Sequence, residues 1–239
     1  MANLEKKLLK NMHHAIKDFD MIQEWETILI WVSGWKDSMA LWKLMSLVLK
    51  HAKVKFKIRA VYIFKDFLID CDINFAEKKK YFEEELNIPL EKIDIKLPEK
   101  SKLNDGLWQN CQWCAYARRI ALFSLCKKRN ATKICLGHHM DDIVETLFLN
   151  MFFASQLKSM PPKLFSDDGK HTVIRPLSYC AESDIIEYAE DISSFITNSL
   201  SPAKYDTPKT CWWLCGMTTF SLRSVYTSWP LMTQGISCL

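Results

Sequence analysis

No stretch of about 18 consecutive apolar residues occurs in this 239-residue chain, so no membrane-spanning helix is expected. The opening residues lack the apolar core and small-residue cleavage site of a secretory leader, and the expected compartment is the cytoplasm, with no membrane partner. Internal repeats are absent, which excludes solenoids and propellers, and no long glycine- or proline-rich linker divides the chain into flexible modules. Extreme charge is absent too: 32 Lys+Arg against 28 Asp+Glu leave +4, which permits a polyanionic partner without requiring one. Nine cysteines, an odd number spread through a chain of this size, make a poor disulfide framework. They leave core packing, metal binding or redox chemistry as their uses.

The residues that are present read as one substantial α/β domain. Leu4, Leu8, Met12, Ile16 and Phe19 recur at near-helical spacing with lysines between them, which predicts an amphipathic helix over residues 1–26. Thr27 to Val32 is a continuous apolar run, as in a parallel strand covered on both faces. A polar turn, Ser33-Gly34-Trp35-Lys36-Asp37-Ser38, follows it and leads into a helix from Met39. Further strands are predicted at Phe56–Phe64, Ile93–Leu97 and Thr132–Leu136, and helices at about Phe75–Leu86, Cys111–Asn130 and Asp141–Phe153. Strands alternating with helices of these lengths predict a doubly wound parallel sheet flanked by helices. Ligands of such sheets bind beyond the carboxyl ends of the strands, where both the Ser33 turn and Gly137-His138-His139 fall. Basic residues cluster at Lys50, Lys53, Lys55, Lys57 and Arg59, and again at Arg118, Arg119, Lys127, Lys128 and Arg129; solvated faces explain such runs as readily as a polyanion does.

Three constellations carry potential chemistry. The Ser33–Ser38 turn presents backbone N–H groups and a helix N-terminus, the hydroxyls of Ser33 and Ser38, and the charge of Lys36; it reads as a phosphate site or as a simple turn. The spacing of a Walker A loop is absent. In Gly137-His138-His139-Met140-Asp141-Asp142, two carboxylates crowd a helix start beside two imidazoles, which suits helix capping or a hydrated magnesium held with nucleotide phosphates. Asp142, Thr146 and Asn150 lie four apart and share one helical stripe. Cys111-Gln112-Trp113-Cys114 places two thiols at a helix start, suited to half a zinc site, a redox dithiol, part of a cluster site, or a buried pair. No second C-x-x-C of matching spacing supports a zinc ribbon. Cys126, Cys135 and Cys180, in apolar or mixed contexts, read as core residues.

Taken in this order, the three constellations resemble the PP-loop superfamily and, within it, the tRNA 2-thiocytidine synthetases. The turn resembles their S-G-G-x-D-S loop, Cys111 to Cys114 with Arg118-Arg119 their C-x-x-C…R-R segment, and Gly137 to Asn150 their G-H-H-x-D-D helix. The most specific stretch is Ser159-Met160-Pro161-Pro162-Lys163-Leu164-Phe165-Ser166-Asp167-Asp168-Gly169-Lys170-His171, continuing through Ile174-Arg175-Pro176-Leu177. The resemblance spans roughly residues 27 to 190. It implies a Rossmann-like PP-loop fold that binds ATP and Mg2+ through Ser33, Gly34, Lys36, Asp37, Ser38, Gly137, His138, Asp141 and Asp142. It implies adenylation of a cytidine at position 32 of the tRNA anticodon loop, and replacement of its 2-oxygen by sulfur. A [4Fe-4S] cluster held by three cysteines is implied as well, with Cys111 and Cys114 as catalytic residues and ligands and Cys215, in Cys211-Trp212-Trp213-Leu214-Cys215-Gly216, as the third ligand. The partners implied are tRNA, a sulfur donor such as a cysteine desulfurase, and a second copy of the chain.

Two features depart from the family's pattern. Trp35 stands where its loop has a second glycine, a position that lets backbone approach phosphate closely. Residues 191–239 hold eight serines and seven threonines but only two acids, Asp191 and Asp206, which sets a divergent tail apart from the expected 27–190 domain. A degenerate, catalytically impaired protein that binds nucleotide or tRNA is therefore the alternative, as is another PP-loop tRNA-modifying enzyme.

Overall fold

The computed structural model describes residues 2–32, 36–65, 79–80, 83–84, 88–95, 107–166, 169 and 171–196. Ser33, Gly34, Trp35, Cys215 and the tail from 197 lie outside them, as does most of the expected Phe75–Leu86 helix. The expected amphipathic helix is α1, Ala2–Asp18. Its stripe buries Leu8, Met12 and Ala15 completely, and each large side chain so covered contributes about 1.5–3 kcal/mol. The helix closes where Met21 N–H reaches the Ile16 carbonyl at 2.9 Å.

Strand β1 (Thr27–Val32) buries four of its six residues because both faces are covered, as its unbroken apolar run requires. Helix α2 (Lys36–His51) follows, then β2 (Lys57–Lys65), β3 (Leu90–Ile95), α3 (Leu107–Arg129), β4 (Lys133–Cys135) and α4 (Met140–Ala154). Beyond them lie β5 (Lys163–Phe165), β6 (Thr172–Ile174), a 3-10 turn at Pro176–Tyr179 and α5 (Glu182–Ile196). The six strands are ordered β3-β2-β1-β4-β6-β5, all parallel except β5, which pairs antiparallel with β6. The order reverses between β1 and β4, making their carboxyl ends the switch-point crevice.

Two cores sandwich this sheet. On one face, α1, α2 and α5 pack Leu8, Trp42, Leu44, Ile185 and Tyr188 against Ile28 and Ile30. On the other, Leu122, Leu125 and Cys126 of α3 pack on Leu29, Val61 and Ile134. Two contacts fix the direction of α3. The Arg118 guanidinium lies 4.9 Å from the ring centroid of Trp31, near the carboxyl end of β1. At the other end, Arg129 Nε donates to Glu91 Oε2 at 3.0 Å, at the start of β3. The N-terminus of α3 therefore projects past the carboxyl edge of the sheet.

Some boundaries differ from the sequence reading. Strand β3 begins at Leu90, directly after Pro89, because Leu90 pairs with Ala60, and the alternation used to place it at Ile93 catches only its second half. Helix α3 begins at Leu107, so Cys111 and Cys114 sit in its second and third turns and not at its start. Their backbone N–H groups then have partners within the helix, which weakens the expected lowering of thiol pKa by a free helix end. Strands β5 and β6, three residues each, and helix α5 are additional elements. Cys126, Cys135 and Cys180 are buried free thiols, as expected of core residues. Burial pushes the Cys126 and Cys180 thiols up to about 12, Asp184 adding to the effect at Cys180, and pushes Cys135 up as well.

Candidate nucleotide site at the sheet switch point

Two chain segments meet at the crevice. From β1 comes the N-terminus of α2, carrying Lys36, Asp37 and Ser38, the last buried. From β4 comes Gly137, and a Cβ built on it would stand 3.2 Å from the Asp37 carbonyl carbon and oxygen and from the Ser38 nitrogen. Glycine is thus required sterically: the exit of β4 rests directly on the backbone of the first turn of α2. This contact couples two sequence motifs a hundred residues apart.

Next along the chain, His139 caps α4. Its backbone N–H donates to Asp142 Oδ2 at 2.9 Å while Asp142 N–H donates to His139 Nδ1 at 3.4 Å, a reciprocal capping box. Because Nδ1 accepts, the neutral ring carries its proton on Nε2. Three carboxylates surround this imidazole: Asp37 Oδ1 at 3.8 Å, Asp141 Oδ2 at 3.7 Å and Asp142 Oδ2 at 3.5 Å. Asp141 Oδ2 also accepts from Glu182 N–H at 2.6 Å, so it caps α5 as well. Burial raises the Asp142 carboxyl above its usual range, against the pull of His139.

Lys36 is held between acids, its Nζ 2.8 Å from Asp37 Oδ1 and 3.0 Å from Glu182 Oε1. Burial alone would lower this ammonium, but the two carboxylates outweigh it and hold it above its ordinary value. Glu182 went unmarked in the sequence because its partner lies 146 residues away.

His138 points inward, its Nδ1 buried without a hydrogen-bond partner. Burial, then the positive charges of Arg175 and His139, push it down to about 3, so it is neutral at physiological pH. Arg175 is itself fully buried, donating to the Pro161 carbonyl at 2.6 Å. Burial brings it down to about 10 against the opposing field of Asp142. Sequence spacing marked it only as part of a longer string.

The expected polar stripe divides by role. Asp142 lies at the crevice, whereas the Thr146 hydroxyl donates back to the Asp142 carbonyl at 2.7 Å and Asn150 Nδ2 donates to the Lys158 carbonyl at 2.7 Å, both serving local structure. Cys111 and Cys114 occupy one face of α3, three residues apart. Measured from Arg118 beside Trp31, they stand roughly 10 and 6 Å further along the axis, beyond the same sheet edge as the crevice. A pair of soft sulfur donors one turn apart suits an iron–sulfur cluster. Among the described residues no group of three or more His, Cys, Asp or Glu is placed to hold a metal ion directly.

A doubly wound sheet with a polar strand-to-helix turn at its switch point, backed by a carboxylate-ringed capping histidine, defines a nucleotide-binding α/β protein. The chain belongs to the PP-loop domain family, which matches residues 4–196 and so takes in α1 and α5. That membership implies ATP as the ligand of the turn. Among curated relatives, the protein named tRNA-cytidine(32) 2-sulfurtransferase of Vibrio parahaemolyticus is 46% identical over 191 residues, covering 78% of this chain and 62% of its own. Its namesake from Shewanella loihica is 41% identical over 201 residues, covering 80% of this chain and 59% of its own. The chain thus spans about three fifths of the length of the curated relatives it matches. Among solved structures, the U34-tRNA thiolase NcsA from Methanococcus maripaludis with its [4Fe-4S] cluster aligns at TM-score 0.68 and 17% identity, covering 91% of this chain and 73% of that one. An NH3-dependent NAD synthetase from Campylobacter jejuni aligns at 0.51 and 15%, covering 82% and 78%. At these identities the structures share the fold. No helix among the described residues is long and apolar enough to cross a membrane.

Proposed function

We propose that this chain is an ATP-dependent tRNA-cytidine 2-sulfurtransferase of the cytoplasm, acting on cytidine 32 of the anticodon loop. The observation that carries this reading is the shared edge: the helix bearing Cys111 and Cys114 projects past the side of the sheet where the nucleotide turn and Gly137 meet. The names of the relatives, which match this chain at 41–46% identity, supply the substrate. Ser33, Gly34, Lys36, Asp37 and Ser38 would hold the phosphates of ATP at the N-terminus of α2. Asp37, Asp141 and Asp142 suit a hydrated magnesium travelling with those phosphates, while Gly137 and neutral His138 keep the crevice wall close and uncharged.

An amide-like oxygen is a poor leaving group. The cytidine O2 attacks the α-phosphorus, pyrophosphate departs, and AMP becomes the group that sulfur displaces from C2. Positioning and charge stabilisation supply most of the rate. When bound by Cys111, Cys114 and Cys215, the proposed [4Fe-4S] cluster would supply an iron site for the incoming sulfur. The proposed partners are tRNA, a sulfur donor such as a cysteine desulfurase, and a second copy of the chain.

Nucleoside mass spectrometry of tRNA from cells with and without the gene tests the proposal: 2-thiocytidine should depend on the gene and vanish in Cys111→Ala. Equal 2-thiocytidine in both strains would refute it. A second reading, nucleotide or tRNA binding without turnover, is favoured by the indole of Trp35 in the phosphate turn. Binding of ATP and tRNA with no thiolated product would establish that reading.

A further inference from the structure

Helix α4 begins at the crevice and then leaves the core: of its 15 residues only Thr146 is buried. Its outer face instead exposes Met140 at 40%, Val144 at 45%, Phe148 at 48%, Met151 at 42% and Phe152 at 73%, and Leu157 just beyond stands 84% exposed. At 100° per residue the five helical positions fall within a single arc of about 120°, the width of a helix-packing stripe. Their exposed area sums to roughly 600 Å², at the top of the range for the largest apolar patch of a soluble monomer. Phe148 and Phe152 are already stacked, with centroids 5.9 Å apart and planes 12° from parallel, so little side-chain freedom remains to be lost on docking.

We propose that this stripe is the interface between two copies of the chain, packed antiparallel about a two-fold axis at Phe148. The charge pattern excludes other occupants first. Residues 140–154 contain three acids, Asp141, Asp142 and Glu145, and no lysine or arginine, which suits neither a phosphate backbone nor an anionic bilayer. An apolar protein face remains.

Self-complementarity then selects a second copy. Val144, Phe148 and Phe152 sit at equal spacing around a central position, so reversal maps the stripe onto itself, as an isologous contact demands. Phe148 meets its own equivalent, and small Val144 meets large Phe152 on either side. The antiparallel direction is set by charge: a parallel pair would bring both sets of three carboxylates together, whereas the antiparallel pair separates them and opposes the helix dipoles. Two such stripes bury about 1,200 Å² in total, the lower end of the range for specific stable interfaces. Since α4 starts with His139, Asp141 and Asp142, the axis also links the two nucleotide sites through one helix pair.

Sedimentation equilibrium of the whole chain over a wide concentration range tests the proposal, with circular dichroism confirming the fold of each variant. The wild type should be a dimer, and Phe152→Glu should weaken association on the order of 100-fold. The register is tested by mixing. Val144→Asp and Phe152→Lys, each monomeric alone, should re-form a dimer together because the axis places these positions opposite one another. A wild-type chain that stays monomeric, whether its stripe is covered by residues 197–239 or by nothing, overturns the proposal. So does a dimer indifferent to Phe152→Glu, or a mixture that fails to associate. Neither the assay nor these variants depends on thiolation, so failure here leaves the proposed function standing, and the reverse also holds.

Discussion

Replacing Gly137 with alanine puts the contact between the two halves of the crevice to a quantitative test. The added methyl would lie 3.2 Å from three backbone atoms of Asp37 and Ser38. Comfortable carbon contacts lie near 3.5–4.0 Å, and none of these three atoms is the end of a flexible side chain, so the first turn of α2 must retreat by about 0.3–0.5 Å. Overpacking of this kind costs about 1–3 kcal/mol, which for a domain of this size lowers Tm by roughly 2–8 °C. Because the displaced turn carries Lys36, Asp37 and Ser38, ATP affinity should fall in parallel, about tenfold for each 1.4 kcal/mol lost at the phosphates. Gly169→Ala is the control. There φ is +66° and nothing lies within 4 Å of the new methyl, so the penalty is backbone strain of about 1 kcal/mol in the β5–β6 loop. Calorimetric titration with ATP beside thermal melts separates the cases: both variants melt lower, but only Gly137→Ala binds ATP more weakly. If Gly137→Ala leaves ATP affinity untouched while lowering Tm, the contact is structural and the crevice reading fails at that point.

Further outcomes follow from the same geometry. His138, held down to about 3 when folded against 6.5 when free, stays neutral in the fold while the unfolded chain takes up its proton; stability is therefore intact above pH 6.5 and falls as pH drops from there toward 3, by up to ~1.4 kcal/mol per unit. Denaturant melts of His138→Gln should lack that component, and an unchanged slope would show that His138 is not the group responsible. Glu182→Gln removes one of the two acids on Lys36 at an interaction partly open to solvent, worth up to about 1 kcal/mol, so ATP should bind up to about fivefold more tightly; weaker binding would mean Glu182 serves the nucleotide directly. Trp35→Gly should also tighten ATP binding, and an unchanged or weaker affinity would clear the indole of obstructing the turn. Anaerobic reconstitution should give a brown protein whose colour is lost in Cys114→Ala, while a colourless, iron-free wild type would rule out the cluster.

The parts of this fold that announce themselves in the sequence are those whose local pattern and tertiary fate agree. Thr27 to Val32 is apolar without interruption because helices cover both its faces, and the α1 stripe is periodic because only one side is buried. Strands β5 and β6 are too short, at three residues each, for any period to show, and they owe their existence to pairing with each other and with β4. The site divides in the same way. Asp141 and Asp142 were conspicuous because they crowd a helix start, but the partnership of Lys36 with Glu182 and the burial of Arg175 depend on which elements the sheet topology brings together. Gly137 was visible as one letter of a motif. Its steric reason, the backbone of Asp37 and Ser38 against its α-carbon, exists only in three dimensions.

The account rests on the cysteine-bearing end of α3 and the nucleotide turn opening into one cleft, and a distance measures this directly. With a spin label on Cys111 and manganese–ATP in the turn, pulsed electron paramagnetic resonance should give a separation well below 25 Å, since Cys111 stands only roughly 10 Å along the helix from the residue that touches the end of β1. A separation near or beyond the roughly 34 Å length of α3 would put the thiols at the opposite edge of the sheet and contradict the proposal that they take part in chemistry at the nucleotide.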